Sequence, residues 1–218
     1  KTPIAALRLL LQNKNDEGKM TEELSELFGI EQYVEMALQY QRLDSETTDF
    51  VFETTDLDEI IRTSVKKYAR QFIAKKISLS YEPVGVAVIT DKKWLSFVIE
   101  QVISNAVKYT KTGSIKIYLE DGDGTMSVPL QKNSHGKGDS EENGSTNSVR
   151  LVIEDTGIGI RAEDLPRICE MGYTGCNGHG GQHSSGIGLY LCSRILKKLG
   201  HTFSITSKEG EGTVVKIG

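Results

Sequence analysis

The chain has 218 residues, 38% hydrophobic and 26% charged, which is enough apolar side chain for one large domain or two small ones. A net charge of −4 argues against a nucleic-acid surface built on bulk basicity, and so mild an acidity points to no particular partner. Three cysteines (Cys169, Cys176, Cys192) make no disulfide framework and suit a reducing cytosol, and neither a secretory signal nor an apolar run near the roughly 18 residues of a membrane span is found.

The first stretch, "KTPIAAL" (Lys1 to Leu7), opens abruptly, as if in the middle of a helix. Pro3 suits a first helical turn, and Ile4, Leu7, Leu10 and Leu11 follow at helical spacing. Residues 3–44 read as a helical hairpin within a first domain of residues 1–48, turning at "NKNDEG" (Asn13 to Gly18). Its second helix carries Met20, Leu24, Leu27, Val34 and Leu38 in a seam of period near 3.5. Two such helices cannot bury both apolar faces alone. Either a dimeric four-helix bundle completes them or the hairpin packs on its own domain.

From residue 49 the pattern changes. Asp56 can cap a helix whose apolar face is Leu57, Ile60, Ile61, Val65, Tyr68, Phe72 and Ile73. "ISLSY" (Ile77 to Tyr81) and "GVAVIT" (Gly85 to Thr90) are strand-like; Asp91 then caps a helix burying Leu95, Val98, Ile99, Val102, Ile103 and Ala106. "SIKIYLE" (Ser114 to Glu120) and "VRLVIE" (Val149 to Glu154) alternate as strands do. Between them, residues 121–148 are rich in Gly, Ser and Asn and read as a mobile surface insertion. A helix from Gly188 to about Leu199, stopped by Gly200, and two strands, "TFSITS" and "TVVKI", end the chain. The order predicts an α+β sandwich: one mixed sheet with helices on one face.

Three stretches carry candidate chemistry. In "EQVISNAVKYT", Gln101, Asn105 and Lys108 fall on one polar stripe of a helix, where an amide oxygen suits Mg²⁺ and an ammonium suits phosphate; a solvated helix face looks the same. In "EDTGIGI" a strand ends in an acidic pair and runs into glycines that permit close approach of a ligand to the backbone, although D-x-G-x-G alone is also a tight turn. In "GCNGHGGQHSSGIGLYL" a glycine-dense loop leads into an amphipathic helix whose first N–H groups suit an anion, and a flexible linker reads alike. Their order and spacing are more specific than any one of them.

Together the three resemble the N, G1 and G2 boxes of the Bergerat ATP-binding fold shared by gyrase, heat-shock-90, MutL and histidine kinases. "SNAVKYT", "EDTGIGI" and "SSGIGLYL", with "GEGTVV" (Gly210 to Val215), are similar to the histidine-kinase branch. "YVEMALQYQRLDS" and "MGYTGCNG" resemble the short kinases that accompany antibiotic-peptide transporters. The resemblance implies a dimerisation and phosphotransfer hairpin at 1–48 and an ATP-binding catalytic domain at 49–218, with an ATP lid at about 165–185. It implies that Asn105 coordinates Mg²⁺, Lys108 contacts the phosphates, Tyr109 lies against adenine and Asp155 accepts from the adenine amino group. Gly157 and Gly159 would shape the base pocket; Gly186 and Gly188, with Leu189 and Thr213, would complete the nucleotide site. It also implies a response-regulator partner, a homodimer and a membrane-anchored parent whose catalytic region is cytoplasmic.

In the gyrase and heat-shock branches a Glu one turn before the Mg²⁺ Asn activates water. This sequence has Gln101 there, which cannot act as a general base, and Glu100 lies about 100° around the helix. Transfer of phosphate to a protein side chain is therefore favoured over hydrolysis. Cys176, His179 and His183, with Cys169 nearby, have the residue types of a zinc site, but they lie in the expected lid without a C-x-x-C pair. Cys192 reads as a small core residue.

Histidine kinases carry a His-Glu-x-Lys-Thr-Pro motif, and "KTP" (Lys1 to Pro3) matches its end. The acceptor His would stand three residues before Lys1, and Thr2 would take the position tied to phosphatase activity. None of His135, His179, His183 or His201 falls in the hairpin. The alternatives are a Bergerat ATPase or anti-sigma-type protein-serine kinase, and a degenerate nucleotide-binding dimerisation module.

Overall fold

A computed structural model describes residues 30–31, 34–43, 50–81, 83, 85–128, 147–175 and 185–218. The chain divides into two compact units, residues 1–48 and 49–218. In the first, residues 34–43 are helical, with Met36 and Leu43 buried and Gln39 donating to Glu35 one turn earlier at 2.8 Å. Val34 and Leu38 lie exposed on this segment, as does Ile30 in the described pair before it, the three being four residues apart in sequence. Val34 and Leu38 belong to the expected seam. Thr2, Met20, Leu24, Leu27 and the turn Asn13 to Gly18 lie outside the described residues.

The second unit runs β1 (Glu53–Asp56), α1 (Leu57–Lys75), β2 (Ile77–Tyr81), β3 (Ala87–Thr90), α2 (Lys92–Tyr109), β4 (Gly113–Val128) and β5 (Asn147–Asp155). A 3₁₀ turn (Leu165–Arg167), α3 (Gly188–Leu199), β6 (Phe203–Lys208) and β7 (Gly212–Ile217) complete it. Five strands form one mixed sheet in the order β2-β4-β5-β7-β6, parallel only between β2 and β4. The expected single sheet is joined by a separate pair: β3 pairs antiparallel with β1. β1 is the polar tetrapeptide ETTD, whose pairing rests on backbone groups; only Thr55 of its side chains is buried, so no hydrophobic alternation marks it.

Local chemistry sets the helix ends. Asp56 accepts from the amides of Asp58 (2.8 Å) and Glu59 (3.4 Å) to start α1, and Asp91 accepts from Trp94 N–H at 3.1 Å to start α2. The second carboxylate oxygen of Asp91 takes Val51 N–H at 2.9 Å, tying the start of this unit to α2. Gly200, at φ 77°, closes α3 in the left-handed conformation. The expected face of α1 is buried at Leu57, Ile60, Ile61, Tyr68 and Phe72, while Val65 is half-buried. Ile73 departs from it, being 78% exposed. It follows Phe72 by about 100° around the helix and so leaves the buried line, whose place between Ile60 and Tyr68 is filled by Ser64, back-bonded to the Ile60 carbonyl at 2.9 Å.

The face of α2 is buried as expected, with Trp94 and Val107 added. It packs with α1 and α3 over one face of the sheet, against Ile115, Ile117, Leu151, Ile153, Val215 and Ile217. Each such fully buried Leu or Ile contributes about 1.5–3 kcal/mol. β4 and β5 are longer than their alternation indicated, so backbone pairing reaches into the expected insertion at 121–148. Both Asp121 and Met126 stand opposite Val149, leaving Gly122 to Thr125 as a bulge where two glycines let the strand swing out. Residues 129–146 lie outside the described residues. Among the described residues no helix is long and apolar enough to cross a membrane.

Candidate functional site

The site begins at the ends of three strands. Asp155, last in β5, stands opposite Thr213 of β7, and Thr213 stands opposite Ser207 of β6. Directly opposed residues point to one face, so the three make a polar row at the edge of the apolar, helix-covered face. Asp155 is 9% exposed. Its carboxylate accepts the Gly157 N–H at 2.8 Å and the backbone N–H of Thr213. Burial pushes its pKa up to about 6; the two amide bonds oppose that rise and the neighbouring Glu154 adds a little to it.

The glycines after Asp155 hold the loop against its neighbours. A Cβ on Gly157 would lie 2.7 Å from both Asp155 Oδ1 and the Tyr109 carbonyl oxygen, and Ile158 N–H donates to that carbonyl at 3.2 Å. Gly159 sits at φ 66° with its would-be Cβ 2.0 Å from the Lys208 carbonyl, so only glycine fits. The loop is thereby clamped between the C-terminal end of α2 and the β6–β7 hairpin.

On α2, Gln101, Asn105, Lys108 and Tyr109 are all half-buried beside the fully packed face. Gln101 Nε2 donates to Asn105 Oδ1 at 3.3 Å, and its side chain lies against the first residue of α3, 2.7 Å from where a Gly188 Cβ would be. Lys108 Nζ lies 5.2 Å from the Tyr109 ring centroid. Glu100 instead pairs with Lys67 of α1 at 2.5 Å, away from this stripe. Leu189 is half-buried in the first turn of α3. Unlike α1 and α2, that helix has no side-chain cap: Ile187 precedes it, its amide donating to Ser185 Oγ at 3.3 Å and its carbonyl accepting the Leu191 N–H at 2.9 Å. An uncapped start leaves backbone donors facing whatever sits in front of it.

The flanks of the expected lid meet at glycines. Gly172 N–H donates to the Gly186 carbonyl at 3.0 Å, and Gly186, at φ 66°, has no room for a Cβ beside Gly172. Arg167 stacks 4.3 Å over Tyr173, whose hydroxyl donates to Asp164 at 2.5 Å. Residues 176–184 lie outside the described residues, and with them Cys176, His179 and His183 of the zinc alternative. Cys169 is half-buried with its thiol pKa raised by burial, and no metal-binding group of side chains occurs among the described residues. Cys192 is fully buried in α3, where burial likewise raises its pKa, as expected of a core residue. His201 is buried against Thr90 Oγ1 at 3.0 Å.

Three further residues at the site escaped the sequence reading. Lys75, at the end of α1, donates from Nζ to the carbonyls of Val107 (2.6 Å), Lys108 (3.0 Å) and Thr110 (3.3 Å) and so caps the C-terminal end of α2. Ser207 bonds the loop, the hairpin turn and Thr213 at once. Thr156, next to Asp155, accepts Ser114 N–H at 2.9 Å. Only Thr156 lies inside a recognisable motif; the other two are ordinary members of a helix end and an alternating strand.

A mixed sheet covered on one face by helices, with a buried carboxylate at a strand end under a glycine loop and an uncapped helix start, defines a Bergerat-type α+β sandwich. Residues 90–218 match the family model described as histidine kinase-, DNA gyrase B-, and HSP90-like ATPase. The whole chain is 34% identical to the sensor histidine kinase YxdK of Bacillus subtilis and 32% identical to the sensor protein kinase GraS of Staphylococcus aureus, covering 60% and 56% of those proteins. Among solved structures, full-length ShkA in complex with AMPPNP aligns over 99% of this chain and 42% of its own, with a TM-score of 0.65 at 18% identity. The kinase ThkA in complex with the response regulator TrrA aligns over 99% of this chain and 56% of its own, with a TM-score of 0.61 at 17% identity. The chain therefore belongs to the histidine kinase-, DNA gyrase B-, and HSP90-like ATPases. It spans a little over half the length of the curated relatives it matches.

Proposed function

We propose that residues 49–218 bind ATP with Mg²⁺ and that, in the whole protein, the γ-phosphoryl group passes to a histidine on the dimerisation hairpin and then to an aspartate of a response regulator. The observation that carries this reading is the buried Asp155 carboxylate, held by two backbone amides beside the end of the helix that bears Asn105, Lys108 and Tyr109. A carboxylate so placed accepts from an exocyclic amino group. Gly157 and Gly159 keep the base pocket open, and Tyr109 covers the base. The uncapped start of α3, at Gly188 and Leu189, offers backbone donors to the phosphates, with Lys108 adding charge and Gly186 letting the lid close over them. Asn105 offers a neutral amide oxygen of the hard type that Mg²⁺ prefers, oriented by Gln101; the cation supplies charge neutralisation on the phosphates when bound.

No carboxylate sits one turn before Asn105, and Glu100 is engaged by Lys67. The site positions ATP and leaves the attack to an incoming side chain. Dimerisation through the hairpin is supported by the exposed Ile30, Val34 and Leu38 stripe, which a second copy would cover.

Calorimetric titration of the 218-residue chain with ATP and Mg²⁺ tests the reading. Saturable binding is expected, with steady-state phosphate release near background; the absence of binding at roughly millimolar ATP sinks it. Sustained multiple-turnover hydrolysis would instead favour the ATPase branch.

A further inference from the structure

Ser207 is half-buried, and its hydroxyl has three protein partners. Its Oγ lies 2.6 Å from the Gly212 carbonyl oxygen, 2.9 Å from the Ile160 amide nitrogen and 2.9 Å from Thr213 Oγ1. A hydroxyl has one proton and two lone pairs. The carbonyl can only accept, so the Ser207 proton goes to Gly212. The amide can only donate, so it takes one lone pair. The other lone pair faces Thr213, which must then be the donor of that pair. The single proton of Thr213 is directed at Ser207, and its oxygen turns only lone pairs to the space in front of the row. Beside it stands the Asp155 carboxylate, opposite Thr213 across β5 and β7. Two acceptors therefore converge on one place, and a group presenting two N–H bonds satisfies both.

The geometry points to Ser207 as a specificity-determining, positioning residue: by holding Thr213 as an acceptor beside Asp155, it makes the pocket select a 6-amino purine over a 6-oxo purine. This rests on the nucleotide reading above and goes beyond it, since Asp155 is only one of the acceptors and Ser207 touches no ligand. A 6-oxo base would set its own lone pairs against two acceptors that cannot turn. Without Ser207, the Thr213 hydroxyl regains its proton for the ligand and can donate to that oxygen.

The test is titration of the 218-residue chain with Mg²⁺ and either ATP or inosine triphosphate, which differ at position 6 of the base and in the proton on N1. The wild type is expected to prefer ATP by roughly 100-fold or more. Ser207→Ala should bring the ratio to within about tenfold, mainly by improving the inosine nucleotide, and Ser207→Thr, which keeps the hydroxyl, should restore it. Thr213→Val should lower the ratio by itself, and adding Ser207→Ala to it should change the ratio no further. The inference is overturned if Ser207→Ala binds ATP and keeps the wild-type ratio, or if Ser207→Thr fails to restore it. It is overturned equally if Ser207→Ala does not fold and Thr213→Val leaves the ratio unchanged. A wild-type chain that binds both nucleotides alike removes this inference alone, whereas one that binds neither removes the nucleotide reading itself.

Discussion

Asp155 shows how one residue carries opposed demands. Its folded pKa of about 6 lies above the ordinary 3.8 because burial disfavours the charge more than the two amide bonds favour it. The sign follows directly: the folded state holds this proton where the unfolded chain has lost it, so the contribution to stability is complete below about pH 4 and lost as pH rises through about 6. In thermal melts of the nucleotide-free chain, lowering the pH from about 7.5 to 5.5 should therefore gain an increment of about 0.8 kcal/mol, before other groups are counted, that Asp155→Asn does not show. Nucleotide affinity should run the other way, falling below about pH 6 as the acceptor is protonated, and Asp155→Asn should weaken ATP binding at least tenfold at about pH 7.5, with the gap narrowing as the wild-type carboxyl is protonated. Equal ATP affinity in wild type and Asp155→Asn would show that this carboxylate does not meet the base. Gly159 is constrained by space as well as by conformation. Its φ of 66° and the Lys208 carbonyl 2.0 Å from a would-be Cβ predict that Gly159→Ala costs about 2–4 kcal/mol in urea denaturation, because strand and loop must part.

At the scale of the element, α2 is the part on which the site is assembled, and its two ends are secured differently. Asp91 caps its start, a signal readable as an acid just before an apolar-periodic run. Its end is held by Lys75, which arrives from α1 and donates to three carbonyls; burial first, then the nearby Lys108 charge, lowers the Lys75 pKa. Lys75→Met keeps the length of the side chain and removes the donors. It should destabilise the chain by about 1–3 kcal/mol in urea denaturation and loosen Tyr109, whose carbonyl anchors Ile158; Lys75→Arg should recover part of the loss. An unchanged midpoint in Lys75→Met would mean that water replaces the cap without cost. Helix starts, helix stops and the buried faces of α1 and α2 were legible because each depends on residues within a turn or two. Ile73, β1 and the bulge at Gly122 to Thr125 were not, since exposure at a helix end and pairing of a polar strand are settled by what lies across from them.

At the scale of the molecule, the second unit brings together pieces more than eighty residues apart. Asn105 stands before the long β4–β5 hairpin, and Gly188 after the glycine-rich segment, yet Gln101 bridges them. With no histidine among residues 1–48, incubating this chain with labelled ATP should leave no acid-labile, base-stable phosphate on it, while supplying a hairpin that carries the acceptor should restore labelling. Phosphohistidine mapped to His135, His179, His183 or His201 would overturn that placement of the acceptor. The amino-acid order by itself determined the α+β class, the capped helices, the three glycine and acid motifs and the family they belong to, because hydrophobic period, capping and turn chemistry act over a few neighbouring residues. Only the tertiary structure decided that Asp155, Thr213 and Ser207 form one row. Their sharing of a face depends on the strand order β5-β7-β6 and on register, and cross-strand pairing has no trace in any local stretch of chain.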